Sequence, residues 1–164
     1  MKRQIILMDK ARMRRTLRRM AIQVWERVKD FDQIVLIGLN ERGLATANEL
    51  AEHLSKLVQI DVKVVQFTVD DSNSKKNIPN CNDKFVLLVD DVIFSGKTMF
   101  DALSAVCSIN EPASIEIAAL LDRGHRAYPL RTDLTGIKVP TKLGEHIEVM
   151  LKEGTLEQAV LFKN

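Results

Sequence analysis

Cysteine is scarce in this sequence: the two present, Cys81 and Cys107, have neither a disulfide-framework nor a metal-ligand spacing. That excludes a cysteine-stapled secreted scaffold and a structural zinc site, and it makes the reducing cytoplasm the expected location. Proline is rare as well, at four residues, and with 46% apolar and 28% charged residues the composition excludes a disordered chain. No apolar run approaches the roughly 18 residues that a membrane-spanning helix needs. The stretch Ile5–Met8 is broken by Asp9 and Lys10, too early for the core of a signal peptide, so no membrane partner is expected. A strong charge bias is missing too, since the formal net charge is only +2; any nucleic-acid partner must therefore be argued from local clusters. Aromatics make up 5%, and Trp25 stands alone instead of alternating with basic residues, so a stacking platform for single strands is lacking.

What is present is an alternation of strand and helix patterns over 164 residues, a length that suits one domain spanning 1–164. Gln4–Leu7 reads as a short strand, and Asp9 as the cap of an amphipathic helix reaching about Lys29, with Met13, Leu17, Met20, Ala21, Val24 and Val28 on its apolar stripe. Ile34–Ile37 reads as a strand buried on both faces, closed by Gly38. A turn, Asn40–Gly43, then leads to a helix whose apolar positions run from Leu44 to Leu57. Val62–Phe67 is a further strand, and the polar stretch Asp70–Asn77 has no periodicity and reads as a mobile loop. Phe85–Val89 is the strongest strand pattern. A helix follows with Met99, Ala102, Leu103, Val106 and Cys107 on its expected core face. Ser114–Leu121 reads as a strand, Asp122–Thr141 as a Gly- and Pro-containing region, and two short strands near His146–Leu151 and Ala159–Phe162 complete the pattern. The expected fold is α/β, a doubly wound, mostly parallel sheet with right-handed crossovers.

Chemistry concentrates at the end of the Phe85 strand. Ligands of open parallel sheets bind outside the carboxyl ends of the strands, and Asp90-Asp91 stand there as two adjacent carboxylates. Such a pair is costly to desolvate unless it accepts hydrogen bonds or faces a cation, and a vicinal diol supplies suitable donors. Directly after it, Phe94-Ser95-Gly96-Lys97-Thr98 turns into a helix, so backbone N–H groups and the helix dipole converge on an anion site. Gly96 allows close backbone approach, and the Ser95 and Thr98 hydroxyls add donors. Together these features describe a ribose 5-phosphate. The nucleotide-binding P-loop is excluded, because it requires glycine five residues before the Gly-Lys pair and Asp91 stands there.

Residues Phe85–Thr98 resemble the phosphoribosyl pyrophosphate signature of type I phosphoribosyltransferases. Leu121–Arg126, Leu130–Asp133, Gly136–Thr141, the opening helix with Arg14-Arg15 and the turn Gly38–Gly43 are similar to the bacterial pyrimidine operon regulators, which are also uracil phosphoribosyltransferases. That resemblance implies a small hood formed by parts of 1–8 and 122–164, and transfer of phosphoribosyl from phosphoribosyl pyrophosphate to uracil, giving UMP and pyrophosphate. It implies Glu41, Arg42 and Gly43 at the pyrophosphate loop, with Arg42 catalytic alongside Asp90 and Asp91. Asp90 and Asp91 would hold the ribose hydroxyls directly or through Mg2+, and Phe94–Thr98 would hold the 5-phosphate. Arg123, Val139 and Ile147 fall in the base region. Phe94 occupies a position that is acidic in purine-using relatives, which points to the pyrimidine branch. A homodimer or higher homo-oligomer is implied as well.

The sequence departs from the family after its third strand. Thr68-Val69-Asp70-Asp71 stands where a Tyr-Arg-Asp-Asp run is usual, and the polar loop Ser72–Asp83 is short. A lost arginine contact of that kind costs about 2–4 kcal/mol in a transition state, which Lys75 or Lys76 would replace without the planar fork. An alternative reading is therefore a nucleotide-sensing RNA-binding regulator of pyrimidine genes with weak or no catalysis, its RNA contacts being Arg12, Arg15 and Arg19 on one helical face. His53, His125 and His146 lack metal-site spacing and read as surface or base-pocket neighbours.

Overall fold

The computed structural model describes residues 3–164. The first two positions of the expected hood segment 1–8 lie outside the described residues. Five parallel strands form the central sheet in the order β3(Asp61–Phe67), β2(Gln33–Leu39), β4(Phe85–Ile93), β5(Ser114–Asp122), β6(Leu134–Lys138). A second sheet, antiparallel and three-stranded, joins β1(Arg3–Met8), β8(Thr155–Lys163) and β7(His146–Lys152); we call it the hood.

Helix α1(Lys10–Arg27) starts where the Asp9 carboxylate accepts a hydrogen bond from Arg12 N at 2.8 Å. Its buried positions Met13, Leu17, Met20, Ala21 and Val24 keep the 3.6-residue period and pack with α2(Asn40–Ser55) on one face of the sheet, against Ile34, Leu36, Phe85 and Leu87. Helix α3(Lys97–Ile109) packs Met99, Ala102 and Val106 on the other face, against Val35, Ile37, Val86 and Leu88. Alternate residues of β2 and β4 thus enter two different cores, which is why both strands are aliphatic throughout.

The structure changes several boundaries. Helix α2 begins at Asn40, so Glu41, Arg42 and Gly43 occupy its first turn instead of a preceding loop; Asn40 makes the reversal in the left-handed conformation, φ 58°. Cys107 is exposed, because α3's buried stripe runs through Met99, Ala102 and Val106 and the next residue is turned about 100° away. Strand β6 lies in the region read as irregular, and it extends the parallel sheet.

The polar segment after β3 is anchored at both ends. Ser74–Asn77 is a 3-10 turn. Thr68 N donates to Ser74 Oγ at 2.9 Å and Val69 N to Asn40 Oδ1 at 2.9 Å, while Cys81 N donates to the buried Asn110 Oδ1 at 2.8 Å. Cys81 itself is fully buried. Asn, Ser and Asp side chains closing local turns replace the missing apolar periodicity.

Candidate functional site at the switch in strand order

The chain leaves β2 toward β3 on one side and leaves β4 toward β5 on the other, so the strand order switches between β2 and β4. Pairing of β2 with β4 stops at Gly38↔Val89, whereas pairing of β4 with β5 continues to Ile93↔Asp122. Asp90 and Asp91 therefore sit on a strand whose β2-side edge has just become bare, where a ligand can enter. Both are half-buried, and Asp91 N donates to Asp90 Oδ1 at 2.9 Å. Burial, followed by the adjacent Asp91 carboxylate, holds the Asp90 pKa well above the ordinary carboxylate range. Among the described residues neither aspartate has an ion-pair partner. Two such carboxylates suit a ligand that brings hydroxyl donors or a hard cation.

Beyond Ile93 the chain turns through Phe94–Gly96. Gly96 adopts φ 87°, a left-handed conformation that favours glycine, and caps α3. Ser95 Oγ accepts from Lys97 N at 3.2 Å. The Lys97 ammonium points outward to Asp101 at 3.7 Å, so that residue offers the pocket its main chain rather than its charge. Residues 94–98, with Asp90, Val92, Ile93 and Met99, line a pocket of about 190 Å3.

A larger cleft of about 530 Å3 shares Asp90, Val92 and Thr98 with that pocket and adds Leu39, Asn40, Glu41, Arg42, Asp91, Ile147, Glu148 and Val149. Gly43 makes the approach of α2 possible: a Cβ there would lie 2.8 Å from Val89 O and 3.4 Å from Asp90 Oδ1. Arg42 Nε donates to Val149 O at 2.7 Å, tying the first turn of α2 to the hood, and Arg42 lines the cleft. Ile147, buried in the hood, closes the cleft on that side.

The expected base-region residues separate. The Arg123 guanidinium lies 4.2 Å from the centre of the Phe94 ring, while its Nε donates to Thr141 Oγ1 at 3.2 Å and its terminal nitrogen to Glu145 O at 2.8 Å. Phe94 and Arg123, with His125 and Thr141–Glu145, line a pocket of about 290 Å3. Val139 lines neither that pocket nor the cleft: it packs against the core, and its N–H donates to Asp122 O at 2.8 Å. Arg12, Arg15 and Arg19 are all exposed along α1, but Arg12 donates to Leu7 O at 2.9 Å and Arg19 to Gly136 O at 2.7 Å.

The phosphoribosyl transferase domain family matches residues 6–153. The Bifunctional protein PyrR of Pediococcus pentosaceus is 36% identical over 96% of this chain and 98% of its own. The protein of the same name from Fusobacterium nucleatum is 36% identical over 90% of this chain and 91% of its own. The chain belongs to the phosphoribosyltransferase family, among the PyrR proteins. Solved structures agree on the family fold. A hypoxanthine-guanine phosphoribosyltransferase of Leishmania tarentolae, in complex with GMP, superposes with a TM-score of 0.82 over 98% of both chains at 17% identity. One from Bacillus anthracis reaches 0.71 over 87% of this chain and 84% of its own at 20% identity. At those identities the likeness is one of fold.

Within this phosphoribosyltransferase-family fold, sequence reasoning singled out neither Asn40 nor Glu148 as lining the cleft, nor Lys142–Glu145 as lining the pocket beside Arg123; Asn40 reads only as part of a turn. Asn40 carried a signal, since asparagine ahead of a helix pattern suits a left-handed turn. Glu148 carried none, because an exposed acid on a strand next to buried neighbours looks like any solvated position. Among the described residues there is no group of three or more potential metal ligands, and no helix is long and apolar enough to cross a membrane.

Proposed function

We propose that this protein transfers phosphoribosyl from phosphoribosyl pyrophosphate to uracil, giving UMP and pyrophosphate. The observation that carries the proposal is the sharing of Asp90 and Thr98 between the pocket at the N-terminus of α3 and the cleft reaching Arg42. One ligand can thus place a phosphate on the helix, a diol on the aspartates and a second anionic group at the β2–α2 turn. In this reading the N–H groups of the 95–98 turn hold the 5-phosphate, and Asp90 and Asp91 accept from the ribose hydroxyls. The Arg42 terminal nitrogens and the first amides of α2 hold pyrophosphate as it leaves. Positive charge develops at carbon 1 of the sugar as that bond breaks, and the aspartate pair stabilises it electrostatically.

The aspartate pair fits Mg2+. Burial and the adjacent Asp91 carboxylate hold Asp90 above its usual pKa; a divalent cation would balance the two clustered carboxylates, and a site with few protein ligands suits an ion that keeps its waters and shares the oxygens of a phosphorylated ligand. When bound, Mg2+ would neutralise charge on pyrophosphate, with Asp90 and Asp91 as its protein contacts and Glu148 across the cleft. Phe94 and Arg123 present an aromatic face and a cation to the base pocket, whose one acidic lining residue, Glu145, is engaged by Lys142 N and by Lys163, which favours a uracil carbonyl over a purine N–H. Two free thiols match a reducing, cytoplasmic setting.

Calorimetric titration checks the base assignment. UMP is expected to bind at least about tenfold more tightly than GMP, the size of one well-placed hydrogen bond to a charged donor; tighter binding of GMP would overturn the pyrimidine reading.

The exposed row Arg12, Arg15 and Arg19 along α1 supports a second activity, RNA binding, alongside catalysis. Arg15 is the member with no protein hydrogen bond among the described residues, so its charge is free for a phosphate. Arg15→Ala is expected to weaken RNA binding and to reduce the slope of log K against log salt by about 1. An unchanged slope would remove Arg15 from the RNA surface.

A further inference from the structure

The phosphate turn is held from behind by a strap of chain that follows β5. Arg126 donates through one terminal nitrogen to Phe94 O at 2.8 Å, and Ala127 N and Tyr128 N both donate to Ser95 O, at 2.9 and 3.0 Å. The strap lies close over the turn: a Cβ on Gly96 would be 3.5 Å from both Arg126 Cδ and Tyr128 Cβ. Tyr128 stacks on Phe100 of α3, ring centres 5.2 Å apart. Arg126 is itself fixed, its other terminal nitrogen donating to Asp122 Oδ2 at 2.7 Å and Thr132 Oγ1 at 2.9 Å, and its Nε to Leu130 O at 3.3 Å.

A trans peptide points its C=O and N–H in opposite directions. With the carbonyls of Phe94 and Ser95 drawn to the strap, the N–H groups of Ser95 and Gly96 must point away from it. Neither of those amides has a protein acceptor among the described residues. We propose that Arg126, with the main chain of Ala127 and Tyr128, is a positioning element that orients the phosphate-binding amides before the ligand arrives. This rests on the assignment of the 94–98 pocket to a phosphate. Without the strap the two peptides are free to rotate, and a rotated peptide presents a carbonyl oxygen to the anion. Arg126 does not touch the ligand in this scheme. Its anchor Asp122 adjoins Arg123 of the base pocket, so the same strap connects the base and phosphate subsites.

The test compares UMP with uridine, which lacks the phosphate, by calorimetric titration of the full chain and two variants. In the wild type UMP is expected to bind far more tightly than uridine. Arg126→Met is expected to reduce that preference about tenfold while leaving uridine affinity unchanged. Thr132→Val, which removes one anchor of the guanidinium, is expected to reduce it about threefold, and it decides the matter if Arg126→Met does not fold. A preference unchanged in both variants would overturn the strap's role while leaving the phosphate pocket intact, and equal weakening of UMP and uridine would show a general loss of structure and overturn it too. No preference for UMP in the wild type would remove the phosphate pocket itself, and the strap's role with it.

Discussion

Asp91→Asn is expected to lower the rate of uracil-dependent pyrophosphate release by roughly 100- to 1,000-fold, the usual loss when one preorganised electrostatic contact to a developing charge is removed. Its neighbour separates catalysis from stability. Asp90 is held above its ordinary pKa by burial and by the Asp91 carboxylate, so the folded chain keeps that proton to higher pH than the unfolded chain does. The stabilising contribution is complete below the unfolded carboxylate range and is lost as pH rises through the raised value. Asp90→Asn never ionises there. The ligand-free variant should therefore melt above the wild type, by about 2–4 °C per kcal/mol recovered, with the gap opening as pH rises and closing in acid. Activity should fall in the same variant. Thermal melts across pH, paired with the release assay, check both; a variant less stable than wild type at neutral pH would mean that Asp90 already has a compensating partner.

Gly43→Ala is expected to damage both fold and site. The added Cβ would stand 2.8 Å from the Val89 carbonyl oxygen, a backbone atom of the central strand that cannot rotate aside, and 3.3 Å from Leu39 Cβ. Helix α2 must then withdraw from β4, at about 1–3 kcal/mol for overpacking, against a helix-propensity gain of at most about 1 kcal/mol. Because Arg42 precedes Gly43 on the displaced turn and Asp90 lies 3.4 Å from the new carbon, activity should fall by more than stability alone explains. Asn48→Ala, exposed on the same helix, serves as control and should change stability by less than about 0.5 kcal/mol. Urea unfolding and initial rates measured on the two proteins would decide it. Equal stability of Gly43→Ala and the control would mean that the helix is not held against the strand as described.

Local chemistry explains what could be read from the chain and what could not. The run from Phe85 to Thr98 was legible because its residue types have few other uses together: a doubly buried strand, two carboxylates at its end, and a glycine before a helix. The exact start of α2 was not, since Leu39 caps it with no side-chain hydrogen bond, and the turn signalled by Asn40 does not reveal that Glu41, Arg42 and Gly43 already belong to the helix. Strand β6 was hidden for a related reason: it is five residues long and contains Gly136, which a strand pattern would not favour. Glycine is required there, because a Cβ would clash with the Leu120 carbonyl oxygen and approach Thr16 Cγ2 to 2.9 Å. Long-range contacts were the least accessible. That Arg42 reaches Val149, or that Arg126 reaches Phe94, depends on residues 107 and 32 positions apart meeting at one end of the sheet, and no local pattern encodes such a meeting.

Amide chemical shifts followed during titration with UMP test the ribose 5-phosphate site most directly. The largest changes should fall on Asp90 and Asp91 and on the amides of Ser95, Gly96 and Thr98, with smaller ones at Arg42 and Arg123. Saturable changes confined to other surfaces, with the amides at the start of α3 unmoved, would contradict the assignment.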